Sequence, residues 1–192
     1  VRMVETNGDV FQKQLNELRQ SPIAIDTDAA NEQHYEVPAE FYRLVLGKHL
    51  KYSSCWWDSE ANTLDQAEKA MLELYESRAQ LADGQTILEL GCGWGSLTLW
   101  MASRFPNATI VAVSNSQSQR LYIEGQARQR GLSNIEVITC DVNKLQLSRH
   151  FDRVISIEMF EHMRNYQRLL KNINGWLKDD GKLFVHIFCH RS

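Results

Sequence analysis

Apolar residues recur along the first part of the chain at helical spacing. Val10, Phe11, Leu15 and Leu18 predict a helix that stops at Ser21-Pro22. Pro38 opens a second helix whose apolar face is Phe41, Leu44 and Val45. Thr63-Leu64-Asp65-Gln66 has the form of a capping box, and Leu64, Ala67, Met71 and Leu74 carry a third helix on to about Leu81. Beyond that point short β-branched runs alternate with amphipathic stretches. The runs predict strands at 86–90, 109–113, 135–139, 154–157 and 183–188, the last preceded by a turn at Asp180-Gly181. The stretches between them predict helices over 96–103, 116–130 and 166–177. Repeated β-α units need crossover connections, so the fold class is α/β: a parallel sheet of about five strands with helices on both faces. The expected division is a helical cap over residues 1–80 and a Rossmann-like domain over 81–192. Such sheets bind ligands at the carboxyl ends of their strands.

Composition narrows the partners. The length of 192 residues suits one domain, and 43% apolar with 23% charged residues argues for a packed core rather than disorder. Twenty-one basic against 24 acidic residues give a net charge of −3, which disfavours nucleic acid as a partner. Cys55, Cys92, Cys140 and Cys189 are far apart, with no CxxC pair, so neither a metal site nor a disulfide scaffold is expected. Reduced thiols, the lack of a secretory leader and the lack of an apolar run of about 20 residues fit a cytoplasmic protein. Val1 in place of a methionine is expected where a sequence starts inside a longer one.

The most informative run is Ile87-Leu88-Glu89-Leu90-Gly91-Cys92-Gly93-Trp94-Gly95, a strand that enters three alternate glycines and then a helix. Glycines there let the chain turn tightly and let a ligand lie against the backbone. A dinucleotide site would use G-x-G-x-x-G, so a nicotinamide-dependent reductase is disfavoured. The acidic-x-Gly-x-Gly-x-Gly form resembles motif I of the class I S-adenosylmethionine methyltransferases. The chemistry agrees, because that cofactor carries an ammonium and a sulfonium that a carboxylate such as Glu89 suits. The second strand ends in Ser114-Asn115-Ser116-Gln117-Ser118-Gln119, with no acid for the ribose. Asn115 and Gln119 are one helical turn apart and offer neutral amides instead; a helix start capped by Ser114 or Ser116 fits the spacing equally well. Asp141-Val142 offers a carboxylate and an apolar face for adenine, or is an ordinary loop.

After the fourth strand comes Ile157-Glu158-Met159-Phe160-Glu161-His162-Met163. If helical, this segment puts Glu158, Glu161 and His162 on one face at i, i+3 and i+4, a set able to hold a cation and move a proton. Trp56, Trp57 and Phe160 are candidates for an aromatic wall around that cation.

With these motifs the chain resembles the family of cyclopropane-fatty-acyl-phospholipid synthases, mycolic acid cyclopropane synthases and coclaurine-type N-methyltransferases. The matching stretches are His34-Tyr35-Glu36-Val37-Pro38, Lys51-Tyr52-Ser53-Ser54-Cys55-Trp56, 88–96, 113–119, 157–166 and 183–191. The resemblance implies S-adenosylmethionine contacts at Tyr52, Ser53, Gly91, Asn115, Gln119, Asp141 and Val142, to which the glycine run adds Glu89, Gly93 and Gly95. In the cyclopropane branch it implies a bicarbonate base held by a cysteine, a glutamate, a histidine and a tyrosine. Glu161 and His186 match two of these, Ser54 stands at the cysteine position, and the tyrosine would lie beyond Ser192. In the N-methyltransferase branch the positions of Glu158, Glu161 and His162 form the catalytic set; all three are present, whereas the cyclopropane synthases usually have glycine at the first. The expected function is therefore N-methylation of a small amine. A lipid-acting cyclopropane synthase with peripheral membrane contact is the first alternative, and a cofactor-binding fragment without turnover is the second. The family's sheet has seven strands, so the edge of the fifth strand here is expected to be paired by another chain, covered by the N-terminal region, or exposed and aggregation-prone.

Overall fold

The computed structural model describes residues 7–25 and 38–189. His34–Val37 of the first matching stretch and the last residues of the 183–191 stretch lie outside the described residues. The elements are α1 (Asn7–Gln20), α2 (Ala39–Val45), α3 (Leu64–Arg78), β1 (Thr86–Leu90), α4 (Ser96–Arg104), β2 (Thr109–Ser114), α5 (Gln117–Gln129), β3 (Ile135–Thr139), β4 (Phe151–Ile157), a single 3-10 turn (Phe160–His162), α6 (Tyr166–Trp176) and β5 (Leu177–His186). The five strands form one sheet in the order β3-β2-β1-β4-β5, and every pairing is parallel. Among the described residues no helix is long and apolar enough to cross a membrane.

Alternation along the strands buries both faces, as expected when crossover helices cover a parallel sheet. Ile87, Ile110 and Ile155 point to one side, where Met71, Leu72 and Tyr75 of α3 and Leu97 and Met101 of α4 meet them. Leu88, Val111, Val113 and Val154 point to the other side, against Leu169, Ile173 and Trp176 of α6 and against Ile23. The predicted capping box forms: Thr63 Oγ1 accepts from Gln66 N at 3.3 Å, and Gln66 Oε1 accepts from Thr63 N at 3.0 Å. Helix α3 ends at Arg78, short of Leu81. Leu81 instead leaves the helix to join the core, and Gln80 turns the chain with φ +54°.

Two expectations fail for packing reasons. Phe41, Leu44 and Val45 of α2 are 51%, 79% and 49% exposed, and the residue that anchors the helix is Tyr42. Its ring lies 5.2 Å from Tyr52 and 5.4 Å from Trp94, so aromatic contacts outweigh the aliphatic stripe. The predicted turn at Asp180-Gly181 is absorbed into β5. Leu177 pairs with Phe151, the register then slips, and Lys182 pairs with Arg153. Gly181 fits there because a Cβ would come within 2.8 Å of Phe151 O. Strand β5 is an edge of the sheet among the described residues.

The stretch after α1 is stitched to the loops that follow β3 and β4. Asn143 Oδ1 accepts from Ile23 N at 2.8 Å, Arg164 N donates to Ile23 O at 2.8 Å, and Ala24 bridges Met163. Buried Asn165 donates to Arg19 O and Ser21 O, each at 2.8 Å, and caps α6 by accepting from Arg168 N at 2.9 Å. Asn165→Ala removes a cap and two tertiary bonds and is expected to destabilise the fold by about 2–3 kcal/mol. Urea unfolding measures this, and proteolysis should cut first near α1.

Candidate active site

The carboxyl ends of β1, β2 and β4 open into a cavity of about 310 Å³. Its base is the glycine turn after β1. Gly91 N and Cys92 N both donate to Val113 O, at 3.0 and 3.1 Å, which closes the turn against β2. Gly91, Gly93 and Gly95 have φ of +79°, +51° and +80°, a region that disfavours any side chain. A Cβ on Gly93 would meet only open space, whereas one on Gly95 would strike Ile123 at 2.6 Å. Gly93 thus bares backbone to a ligand, and Gly95 serves helix packing and is not part of the cavity wall.

Glu89 lies beneath this turn, buried, and accepts from Thr98 Oγ1 at 2.5 Å. Burial pushes its carboxyl up to about 7, against the Thr98 bond and the Lys51 charge, which pull it down. At the end of β2, Ser116 caps α5 by accepting from Gln119 N at 3.4 Å, and Ser114 Oγ donates to Gln119 Oε1 at 2.6 Å. Ser116 is thus the cap, and Asn115 and Gln119 line the cavity. Val142 lines it too. Asp141 stands outside the wall, where its carboxylate accepts from Asn143 N at 2.8 Å and from Asn143 Nδ2 at 3.0 Å.

The N-terminal wall is set by Glu68 on α3, fully buried. Its carboxylate accepts from Gly47 N and His49 N, each at 2.9 Å, and from Lys51 N at 3.1 Å. A Cβ on Gly47 would sit 2.7 Å from Glu68 Oε2, so only glycine admits this grip. The gripped loop delivers Lys51, Tyr52 and Ser53 to the cavity. Lys51 is 3% exposed; its Nζ donates to Ser53 Oγ at 2.5 Å and to Tyr75 OH at 3.2 Å. Burial pushes this ammonium down to about 8, opposed by the acidic side chains around it. Tyr75 OH in turn lies 2.6 Å from His186 Nδ1.

Glu158, Glu161 and His162 all line the cavity, but not as one helical face. The helical part is only Phe160–His162, and Glu158 precedes it in a left-handed conformation with φ +49°. For a non-glycine residue that geometry costs about 1–3 kcal/mol. Glu158 N donates to His186 O at 2.8 Å, and Ser54 Oγ donates to Glu158 Oε1 at 2.9 Å. Glu161 Oε1 accepts from Phe188 N at 3.1 Å, while Glu161 Oε2 is buried without a partner among the described residues. The aromatic side chains in the wall are Tyr42, Tyr52, Tyr75 and Trp94. Phe160 belongs to the core, and Trp56 and Trp57 are exposed outside the wall. Lys51, Tyr75 and Ser96 are wall residues that sequence reasoning missed. Lys51 stood inside a matching motif, and a lone charge between Leu50 and Tyr52 was its only signal. Among the described residues no cluster of His, Cys, Asp and Glu could hold a metal ion.

The buried Glu89 carboxyl gives a pH prediction. A raised carboxyl pKa costs folding stability as pH rises from about 4.5 towards 7, and the cost is complete above 7. Glu89→Gln should therefore stabilise the ligand-free protein by about 2–3 kcal/mol at pH 8 and by little at pH 5. Denaturant titrations at the two pH values check this.

Residues 24–192 match the sequence profile of the mycolic acid cyclopropane synthetase family. The chain is 45% identical over 175 residues to (S)-coclaurine N-methyltransferase of Thalictrum flavum subsp. glaucum, covering 91% of this chain and 48% of that protein. It is 29% identical over 156 residues to cyclopropane-fatty-acyl-phospholipid synthase of Escherichia coli (strain K12), covering 80% and 39%. A crystal structure of coclaurine N-methyltransferase bound to N-methylheliamine and SAH superposes with a TM-score of 0.87 at 43% identity, over 95% of this chain and 54% of that one. The chain spans about half the length of the curated relatives it matches. Its parallel sheet and flanking helices are the class I S-adenosylmethionine methyltransferase fold. With the profile matched from Ala24 to its last residue, the chain belongs to the mycolic acid cyclopropane synthetase family.

Proposed function

We propose that this chain is the cofactor- and amine-binding part of an S-adenosylmethionine-dependent N-methyltransferase whose acceptor is a small amine. The observation that carries the reading is Glu161 Oε2, a buried carboxylate oxygen without a partner among the described residues, in the wall of the cavity that the glycine turn also lines. A buried acceptor in that state is costly until a donor arrives, and a protonated amine is such a donor. The likeness to (S)-coclaurine N-methyltransferase supports it. S-adenosylmethionine, when bound, supplies a methyl group on a sulfonium. Its proposed contacts are Tyr52, Ser53, Glu89, Gly91, Gly93, Asn115, Gln119 and Val142, all in the cavity wall. Gly95 and Asp141 support the wall from behind.

Glu158 and Glu161 bind the ammonium form of the acceptor and orient it. Ser54 fixes the first of these carboxylates. His162, exposed at the mouth, accepts the amine proton as general base, and the freed lone pair is held in line for attack. The cyclopropane-synthase alternative, with bicarbonate and a lipid acceptor, draws less support: Ser54 is committed to Glu158, and His186 Nδ1 is engaged by Tyr75. We place residues 1–80 as the cap that closes the cavity and 81–192 as the cofactor-binding part. The β5 edge is the proposed place for a further strand or a second copy to pair, and four unpaired cysteines fit a cytoplasmic protein.

Incubation with methyl-labelled S-adenosylmethionine should label a benzylisoquinoline-type amine and leave phospholipid unlabelled. His162→Ala should lower turnover about 100-fold or more while leaving cofactor affinity nearly unchanged. Equal turnover in the variant removes His162 from the mechanism, and binding without transfer to either acceptor identifies a fragment without turnover.

A further inference from the structure

We infer that Lys51 recognises the methionine carboxylate of the cofactor. The inference rests on the cofactor reading above and assigns a binding role to a residue that motif matching passed over.

The first ground is charge. The cavity wall carries the carboxylates of Glu89, Glu158 and Glu161, the imidazole of His162 and one strongly basic group, Lys51. S-adenosylmethionine brings two cations, a sulfonium and an ammonium, and one anion, its carboxylate. The acids suit the cations, which leaves Lys51 as the wall's natural partner for the anion.

The second ground is geometry. Lys51 is 3% exposed, yet none of the ion pairs among the described residues involves it. It has three N–H groups and two acceptors, Ser53 Oγ and Tyr75 OH. Both acceptors are neutral hydroxyls and the Tyr75 ring centroid lies 4.8 Å from the ammonium, so a buried cation without an ion pair gains from an anion. Ser53 Oγ accepts from the lysine ammonium and is also hydrogen-bonded to Tyr75, which fixes the ammonium's position. Tyr75 is anchored from behind by His186 at 2.6 Å, and the backbone of Lys51 is fixed by Glu68 at 3.1 Å. Glu158, Glu68, Glu89 and Cys55 surround the ammonium at longer range. The Glu68 oxygens are already committed to backbone N–H groups, and Glu89 to Thr98.

The test compares two ligands by calorimetry. One is S-adenosylhomocysteine. The other is 5′-(3-aminopropylthio)adenosine, which keeps the nucleoside, the sulfur and the amine but lacks the carboxylate. The wild-type chain should bind the first about 10- to 100-fold more tightly, the range for one charge-assisted contact. Lys51→Met should lose that advantage and bind the decarboxylated ligand as well as the wild type or better, bringing the ratio close to one. A merely structural lysine would weaken both ligands alike, and that result overturns the inference, as does a variant that keeps the wild-type ratio. Equal affinities in the wild type overturn it without any variant, and Lys51→Gln serves if the methionine variant does not fold. If the wild type binds neither ligand, the cofactor reading itself falls and takes this inference with it.

Discussion

The placement of the cavity's N-terminal wall depends on one buried carboxylate. Glu68 spends its oxygens on three backbone N–H groups of a single loop, those of Gly47, His49 and Lys51. Bonds from neutral donors to a charged acceptor contribute about 1.5–3 kcal/mol each, enough to hold a short irregular loop against a helix. The contact is possible only because position 47 has no side chain. Helix α3 is itself fixed by Met71, Leu72 and Tyr75 in the core against β1 and β4. Rigidity therefore passes from the sheet to α3, from α3 through Glu68 to the loop, and from the loop to Lys51, Tyr52 and Ser53. Tyr42 then packs on Tyr52 and Trp94, which brings α2 into the same wall.

The opposite wall is held by the sheet directly. Glu158 follows β4, and its N–H closes on His186 O at the end of β5. The left-handed turn at Glu158 directs the chain away from the strand, so the carboxylate meets Ser54 from the N-terminal loop. The two walls thus meet where Ser54 N and Oγ donate to Glu158 Oε1 and where Tyr75 OH pairs with His186 Nδ1. The Glu158 carboxylate sits where the loop that carries Ser54 meets the end of β4.

What the sequence made legible was what repeats or what has a fixed local form. Short apolar and β-branched runs located β1 and β3 to the residue, and the capping box at Thr63 formed as its spacing required. The glycine run announced its turn because positive φ values leave few other choices of residue. The failures share a different cause: they were decided by partners distant in sequence. Tyr42 is buried because Tyr52 and Trp94 meet it, and nothing within α2 says so. Glu68 is buried because the loop at 47–51 folds onto it, and nothing within α3 says so. The helical face proposed for Glu158, Glu161 and His162 fails because a 3-10 turn of three residues cannot carry an i, i+4 pattern. The residues still converge on the cavity, since the end of β4 aims the whole segment there. In β5 the Asp180-Gly181 turn signal was real, but a register slip used it inside the strand.

The places where local rules are broken are not scattered. A carboxyl is buried at Glu89, an ammonium at Lys51, a carboxylate oxygen of Glu161 lacks a partner, and Glu158 takes a conformation suited to glycine. Each is a cost in the ligand-free chain, and all four residues line one cavity. A chain selected for stability alone would replace them with apolar or glycine residues at little loss to the core. Their concentration at one site is what a preorganised binding pocket requires, because charges held in place before a ligand arrives need no reorganisation when it does. The alternation of opposite charges along the wall, Glu89, then Lys51, then Glu158, also matches a ligand that carries both signs. Such a ligand would offer the buried Lys51 ammonium an anion and the acidic side chains a cation.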